Sequence, residues 1–316
     1  MSTEGQVIRE VGQRGLADLG YKAATFVAAG AEGAVFRLDE RHAGKVWLRK
    51  KHWELEALRR FCDDVHAASL PFATPRIFQI SPLPRMPDYW CTVEAWLPGH
   101  PLCPMEAPRP TSDQALDCVV EVVAALATVP ATPAMRSLPV LEESAAPWKP
   151  GEDFHAMLRR LVRRRVAAAD GALRGVLPDL DRLTQGILQA LESLPTAPDC
   201  LVHGDLVPAN IMVDDNLRPV AVLDFGWLST AGASAFEAAT AASFYDFVWP
   251  VGRELEERLE SRLLRRLGYS RRTGAIYLAA MAIASATYHS TDPDDFWFKW
   301  CAGVLRRPEL RAALHL

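Results

Sequence analysis

The residues best suited to chemistry lie close together, past the middle of the chain. His-Gly-Asp at 203–205 is followed by Asn210, and Asp-Phe-Gly stands at 224–226. One carboxylate can orient or deprotonate a hydroxyl, while an amide oxygen and a second carboxylate are hard oxygen ligands of the kind that Mg²⁺ prefers. Phosphoryl transfer needs mainly such positioning and the neutralisation of negative charge. The pattern therefore predicts a metal-assisted phosphoryl transfer organised by Asp205, Asn210 and Asp224.

Short apolar runs surround these polar residues. They lie at 201–202, 211–213 and 220–223, each has the length of a strand, and the Asp-Asp-Asn sequence at 214–216 supplies a turn between the second and third. The polar residues then fall at strand ends and in one loop, where a rigid sheet can present side chains to a ligand.

The two motifs together resemble the catalytic loop and the metal loop of the protein-kinase-like fold. The Gly that follows His, where protein kinases have Arg, is similar to the aminoglycoside phosphotransferase family and its small-molecule-kinase relatives. The resemblance implies that Asp205 is the catalytic base, that Asn210 and Asp224 bind Mg²⁺, and that His203 is structural and packs against the metal loop. The chain after the metal loop has no room for a protein-kinase activation segment, which favours a small-molecule kinase.

The N-terminal part supplies the elements of a nucleotide site in order. A turn containing Gly30 and Gly33 precedes a strand that carries Lys45, and the next helix carries Glu54. This order resembles the N-lobe of the same fold. It implies that the turn covers the phosphates, that Lys45 neutralises phosphate oxygens, and that Glu54 holds Lys45 in place. Glu54 is preferred to Glu56 because Glu54 borders the apolar stripe of the helix.

A further strand ends at Pro98 and Gly99, which resembles the hinge that connects the two lobes. The hinge binds a nucleotide base through main-chain atoms, so the resemblance implies the C=O of Ala95 and the N–H of Leu97. A register shifted by one residue, with Glu94 and Trp96, stays open.

The region after the metal loop departs from the family pattern. The family often has Gly-Asp-Pro there, whereas this chain has Gly-Ala-Ser at 232–234. We predict that Glu237 braces the catalytic loop instead; an ordinary acid in the first turn of a helix is the alternative. The C-terminal third contributes the acceptor pocket in the family, so Asp246, Asp292 and Asp295 are candidates for attracting a cationic acceptor. Helix capping is the alternative for these aspartates.

Apolar periodicity predicts the other elements. In the N-terminal part they are a helix at 5–20, strands at 25–29, 45–48, 73–80 and 89–97, a helix at 51–65 and a proline-rich loop at 81–87. In the C-terminal part they are helices at 112–128, 152–170, 179–194, 235–248, 253–267, 272–289 and 294–306, with a linker at 130–151.

Composition limits the class of protein. The 316 residues are 49% hydrophobic and carry a net charge of −4, which allows a large core and indicates no nucleic-acid surface. The six cysteines show no C-x-x-C spacing, so we expect a reduced, cytoplasmic protein. The N-terminus lacks the pattern of a signal peptide, and the longest apolar segment, 275–286, is shorter than the ~20 residues that span a membrane. The sequence leaves the oligomeric state open.

Together these patterns predict an α/β (α+β) protein with a protein-kinase-like two-lobed fold. Residues 1–97 form a small N-lobe with an antiparallel sheet that binds the nucleotide, and residues 98–316 form a larger helical C-lobe with the catalytic loop and the acceptor pocket.

The expected reaction transfers the γ-phosphoryl group of ATP or GTP, with Mg²⁺, to a hydroxyl of a small molecule. The favoured acceptor is an antibiotic, by resemblance an aminoglycoside. One alternative is a kinase of the same fold for a macrolide, a peptide antibiotic, or a metabolite such as homoserine, choline or a sugar amine. Another is a nucleotide-binding protein without catalysis, against which the intact set Lys45, Asp205, Asn210 and Asp224 argues.

Overall fold

The computed structural model describes residues 3–30, 32–105, 107–245, 247 and 253–316, with side chains from residue 6 onward. The N-lobe is built on one antiparallel five-stranded sheet with the strand order β1-β2-β3-β5-β4. The strands are β1 Thr25–Ala29, β2 Gly33–Arg37, β3 His42–Trp47, β4 Ile77–Leu83 and β5 Met86–Ala95.

Two helices accompany this sheet, α1 Thr3–Asp18 and α2 His52–Ala67. Ile8 and Leu16 of α1 are buried in one cluster with Phe36 and Val46 of the sheet. Helix α2 buries Leu55, Leu58, Phe61 and Val65 in a second cluster that continues into the C-lobe. Phe61 lies 5.5 Å from the ring of Phe225, so α2 contacts the metal loop directly.

The C-lobe is mostly helical. Its helices are α3 Asp113–Leu126, α4 Pro133–Ser137, α5 Phe154–Val176, α6 Leu180–Ser193, α7 Ser234–Phe244, α8 Glu254–Leu267, α9 Arg271–Ser285, α10 Phe296–Leu305 and α11 Pro308–Ala313. Among the described residues, none of the helices is long and apolar enough to cross a membrane.

Short strands position the chemistry-bearing residues. They are β6 His100–Pro101, β7 Cys200–Val202, β8 Ile211–Val213, β9 Pro219–Val222 and β10 Thr230–Gly232. Strands β6, β8 and β9 form one sheet and β7 pairs with β10. The segment 203–205 follows β7, Asn210 ends a 3₁₀ turn just before β8, and Asp224 follows β9. The predicted placement at strand ends is therefore confirmed, as are the antiparallel N-lobe sheet and the helical C-lobe.

The predicted loop at 81–87 is wrong. Strand β4 continues through Leu83 and β5 begins at Met86, so the two strands form a tight hairpin. Pro82 is compatible with this strand because β4 lies at the edge of the sheet, where a missing N–H need not break a ladder.

Candidate active site

The catalytic loop begins with a glycine whose place no other residue can take without strain. Gly204 has φ +77°, and a Cβ there would lie 2.5 Å from the carbonyl oxygen of Leu228. A left-handed backbone is costly for residues with a side chain. This close approach explains the Gly between His203 and Asp205.

His203 holds the catalytic loop and the metal loop together. The residue is fully buried, its Nε2–H donates to the C=O of Leu223 at 2.7 Å, and its Nδ1 accepts the N–H of Asp205 at 3.2 Å. Its ring lies 4.5 Å from the ring of Phe225. Burial lowers the pKa of His203 to about 4, so the imidazole is neutral at physiological pH. The predicted structural role of His203 is confirmed.

Glu237 braces the catalytic loop from helix α7. Its side chain is buried, with 1% of the residue exposed, and its Oε2 accepts the N–H of Gly204 at 2.9 Å. Burial raises the pKa of Glu237 to about 7, although hydrogen bonds from backbone N–H groups lower it. The contact by which Glu237 was predicted to brace the catalytic loop is present, and its role in place of the family acid stays a prediction.

Asp205 lies in the same loop, next to several acidic groups. Burial raises the pKa of Asp205 well above its usual range, and the negative charges of Asp224, Glu32 and Glu237 raise it further. A hydrogen bond from the side chain of Asn210 lowers the pKa of Asp205. The loop closes on itself because Nδ2 of Asn210 donates to the C=O of Asp205 at 2.9 Å.

Asn210 and Asp224 offer a donor set that fits Mg²⁺. The nitrogen of the Asn210 amide is bound to Asp205, which leaves its Oδ1 as the atom for a cation. Asp224 has φ +60°, a strained conformation for a residue other than glycine, and 45% of its side chain is exposed. The partial loss of contact with water raises the pKa of Asp224, but the Lys45 ammonium outweighs this effect and leaves the pKa below its usual range. An amide oxygen and an ionised carboxylate are suitable ligands for Mg²⁺.

Lys45 of β3 reaches across to the metal loop. Its Nζ donates to Oδ1 of Asp224 at 2.6 Å and lies 3.7 Å from Oε2 of Glu32, with only 13% of the side chain exposed. Burial lowers the pKa of Lys45, but the charges of Asp224, Glu32 and Glu94 outweigh burial and raise it. The structure therefore brings the N-lobe lysine and the metal-loop aspartate into contact.

Glu54 has a different contact from the one the sequence suggested. Its carboxylate accepts the N–H of Lys51 at 2.8 Å and so caps the first turn of α2. The carboxylate beside Lys45 on the N-lobe side comes from Glu32. A turn residue such as Glu32 has no helical periodicity that would mark it in a sequence.

The glycine turn packs closely on β3. A Cβ on Gly33 would lie 2.0 Å from the carbonyl oxygen of Val46, so only glycine fits there. The N–H of Gly30 donates to the C=O of Gly33 at 2.9 Å and closes the turn. Glycine is thus required at position 33 because strands β2 and β3 approach each other closely there.

The main chain at the hinge candidates distinguishes the two registers. The N–H of Trp96 donates to the C=O of Arg41 at 2.8 Å, and the N–H of Ala95 donates to the C=O of Arg76 at 3.0 Å. A base bound by the N–H of Trp96 would have to break the first of these bonds. The contact pattern therefore favours Leu97 over Trp96 as the donor.

The three C-terminal aspartates differ in what the structure shows. Asp246 lies outside the described residues. Oδ1 of Asp295 accepts the N–H of Phe298 at 2.9 Å and caps α10, and Oδ1 of Asp292 accepts the N–H of Asp294 at 2.9 Å. Asp292 and Asp295 thus make local turn and cap contacts of the kind that was the alternative to acceptor binding.

Sequence reasoning missed Ser229, which joins the two loops. The residue is fully buried, its Oγ donates to the C=O of His203 at 2.6 Å and accepts the N–H of Gly226 at 2.9 Å. A serine a few residues after an Asp-Phe-Gly motif carries no pattern that separates it from an ordinary loop serine.

The second feature missed is the segment that faces the N-lobe from the C-lobe. Leu141 and Glu142 have φ +52° and +54°, and the N–H of Leu141 donates to the C=O of Trp227 at 2.8 Å. Such backbone strain in residues other than glycine often marks functional segments. A cavity of about 240 Å³ is lined from both lobes by residues that include Glu32, Lys50 and Glu142. Nothing in the composition of this segment signals its conformation.

Residues 23–276 match the sequence profile of the phosphotransferase enzyme family, which covers most of the chain. The chain belongs to this family. The prediction of a phosphotransferase with an alcohol group as acceptor is thereby confirmed. None of the curated protein sequences matches the chain significantly.

Solved structures of such phosphotransferases share the fold. A thermostable mutant of aminoglycoside phosphotransferase APH(4)-Ia superposes with a TM-score of 0.67 at 17% identity, over 96% of this chain and 98% of that chain. Aminoglycoside phosphotransferase APH(3'')-Id from Streptomyces rimosus superposes with a TM-score of 0.59 at 20% identity, over 85% of this chain and 95% of that chain. The macrolide 2'-phosphotransferase MphH from Brachybacterium faecium superposes with a TM-score of 0.59 at 18% identity, over 93% of this chain and 98% of that chain. The predicted two-lobed kinase-like fold is confirmed.

Proposed function

We propose that this phosphotransferase transfers the γ-phosphoryl group of ATP to a hydroxyl of a small molecule, with Asp205 as the catalytic base. The observation that carries the proposal is the contact of 2.6 Å between Lys45 of the N-lobe and Asp224 of the metal loop. This contact joins a phosphate-binding cation to a metal ligand beside the loop of Asp205, as phosphoryl transfer requires.

The chain's own residues divide the work. Asp205 orients the acceptor hydroxyl and, in its ionised form, which a nearby cation would favour, takes its proton. His203, Glu237 and Ser229 hold the loop in which Asp205 lies. Asn210 and Asp224 would hold Mg²⁺, which would supply positive charge to the phosphate oxygens. Lys45, which contacts Asp224, neutralises phosphate charge next to these ligands.

The glycine turn would cover the phosphates. We assign the acid that positions Lys45 differently in the nucleotide-free and the nucleotide-bound enzyme. Glu32 is within ion-pair distance of Lys45, whereas Glu54 caps α2. We therefore assign Glu32 to the nucleotide-free enzyme. Glu54 would reach Lys45 only after it releases the N–H of Lys51, and we assign it to the nucleotide-bound form.

The base would bind the C=O of Ala95 and the N–H of Leu97, and Glu94 favours adenine over guanine. Thr92 pairs with Lys45 in the sheet register, and Glu94 lies on the same face of β5 as Thr92. The Thr92 hydroxyl donates to Oε1 of Glu94 at 2.5 Å and orients the carboxylate. A carboxylate accepts hydrogen bonds from the exocyclic amine of adenine but repels the carbonyl oxygen that guanine carries at the same position.

Competition between the two nucleotides tests this assignment. The wild type should use ATP at least about ten-fold more efficiently than GTP, which is ~1.4 kcal/mol of discrimination. Glu94→Gln should narrow the ratio, because an amide can donate to guanine as well as accept from adenine. Equal use of ATP and GTP by the wild type would exclude Glu94 as the selecting residue.

The favoured acceptor remains a cationic aminoglycoside. The cavity between the lobes is lined by Arg49, Lys50 and Lys51 as well as by four acids, and two of these acids, Glu142 and Glu143, lie on the C-lobe side, where they suit the ammonium groups of an acceptor. Glu143 already binds Arg164, which leaves Glu142, exposed at the surface, as the stronger candidate. Because Asp292 and Asp295 already bind backbone N–H groups, we rank them below Glu142 for this role.

A second acceptor class is favoured by an aromatic cluster next to the metal loop. The ring of Trp227 lies 5.6 Å from that of Tyr288 and 5.4 Å from that of Trp297. Trp297 in turn stacks on Trp300 at 4.9 Å. Trp297 is buried, whereas Trp227, Tyr288 and Trp300 are partly exposed and offer an apolar contact surface. A macrolide would use this surface, whereas an aminoglycoside would use the acids of the cleft.

The decisive experiment measures nucleotide consumption with Mg²⁺ for a panel of aminoglycosides, macrolides, peptide antibiotics, homoserine, choline and amino sugars, with ATP and GTP run separately. Asp205→Asn should abolish turnover and leave nucleotide binding intact. Asp215→Asn, a change of the same kind at a fully exposed turn residue, should leave both unchanged. A wild type that binds nucleotide but phosphorylates none of these acceptors would support the non-catalytic alternative.

A further inference from the structure

A second ammonium group lies beside Lys45, and one carboxylate bridges the two. Oε1 of Glu32 lies 3.2 Å from Nζ of Lys50, and Oε2 of Glu32 lies 3.7 Å from Nζ of Lys45. The exposed fraction of the side chain is only 18% for Glu32, 15% for Lys50 and 13% for Lys45. Two cations have thus been withdrawn from water and point at one small region.

Within the described part of the chain, one oxygen of the Glu32 carboxylate is held only by the charge of Lys50, without a hydrogen bond. Oε1 of Glu32 is buried and, among the described residues, has no partner with hydrogen-bond geometry. A buried polar atom without a hydrogen bond is costly, so the native contact is not an optimal one for this oxygen. The region is therefore well suited to an anion that can make better contacts with both lysines.

The same carboxylate lies close to the catalytic centre. The charge of Glu32 raises the pKa of Asp205, and a Cβ on Gly226 of the metal loop would lie 4.0 Å from Oε2 of Glu32. The Lys50 charge in turn lowers the pKa of Asp224. Glu32 and Lys50 are thus placed among the residues to which the proposed function assigns the phosphates and the metal.

We propose that Lys50 is a second phosphate-binding cation and that the Glu32 carboxylate occupies, in the nucleotide-free enzyme, the position that the nucleotide's phosphates take. The inference rests on the proposed function, because it places a nucleotide in the cleft. Glu32 then keeps two buried ammonium groups paired until the phosphates replace it.

The backbone allows this replacement without movement of the turn. The C=O of Glu32 accepts the N–H of Leu48 at 2.9 Å, and Gly33 packs on the backbone of Val46. These contacts fix the main chain, so rotation of the Glu32 side chain is sufficient to release both lysines. The charged oxygens of a triphosphate make stronger charge-assisted contacts with ammonium groups than one carboxylate does.

The test is a calorimetric measurement of ATP and adenosine affinity in the presence of Mg²⁺, with no acceptor. Lys50→Gln should weaken ATP binding about ten-fold and leave adenosine binding unchanged, since adenosine has no phosphates. Glu32→Gln should strengthen ATP binding about ten-fold, because the competing charge is lost. Lys51→Gln is the matched control: it removes the same charge from the adjacent, exposed lysine and should have a much smaller effect.

The outcomes separate the inference from the function on which it rests. Equal losses in Lys50→Gln and Lys51→Gln would show a general charge effect and overturn the assignment of Lys50. Unchanged or weaker ATP binding in Glu32→Gln would overturn the role of Glu32, and this variant decides the matter even if Lys50→Gln fails to fold. A wild type that binds neither ATP nor adenosine would instead refute the proposed function.

Discussion

Glu237 makes the stability of this protein depend on pH in a way that one substitution should remove. The residue is 1% exposed, and burial raises the pKa of its carboxyl group from 4.5 to about 7. Between these values the unfolded chain loses a proton that the folded protein keeps, so the folded state becomes less favourable as pH rises. At ~1.4 kcal/mol for each pKa unit, the wild type should lose about 3 kcal/mol of unfolding free energy from this group.

Glu237→Gln keeps the oxygen that accepts the N–H of Gly204 and removes the titration. Urea unfolding of both proteins at several pH values between 4 and 8 gives the difference in unfolding free energy. This difference should shift in favour of the variant by about 3 kcal/mol between pH ~4.5 and ~7, and then stay constant. Glu257→Gln changes an exposed acid in the first turn of α8 and should give a flat difference. A flat curve for Glu237→Gln would refute the reasoning.

Two further substitutions test how the loops are held. Gly204→Ala should destabilise the protein by about 2 kcal/mol or more in urea unfolding, because a Cβ meets the carbonyl of Leu228 in a left-handed backbone. The control is Gly171→Ala, in α5 with open space around it, which should stabilise the protein by up to about 1 kcal/mol. Ser229→Ala should cost about 1–3 kcal/mol in thermal unfolding and lower kcat, because buried groups of both loops lose their partner. Thr196→Ala, which removes a hydroxyl at an exposed position, should change neither the stability nor kcat. A Ser229→Ala variant with unchanged stability and kcat would contradict the assigned role.

The sequence alone predicted the parts of the site that follow from spacing. Asp205, Asn210 and Asp224 stand at the ends of short apolar runs. The antiparallel pairing of β8 with β9 brings Asn210 and Asp224 together, whereas Asp205 follows a strand of another sheet. The brace from Glu237 was also predictable, because the missing family acid left a carboxylate to be supplied from nearby. The order of strands and helices in the N-lobe followed from periodicity in the same way.

The parts that were missed have different physical causes. Glu54 borders the buried stripe of α2, but its position in the first turn favours capping of the helix. Glu32 reaches Lys45 from a turn, and side chains of turn residues follow no period. The strand character of 81–83 was hidden by prolines that an edge strand tolerates.

The bonds that buried side chains make to the catalytic and metal loops also determine how fast the amide hydrogens of these loops exchange with solvent. The N–H groups of Gly204 and Gly226 are bound to Glu237 and Ser229, both almost fully buried. Such hydrogens exchange only when the surrounding core opens, whereas most loop hydrogens exchange through small local fluctuations. In hydrogen exchange, these two loop amides should therefore behave like the interior of the C-lobe, although both lie outside the helices and strands.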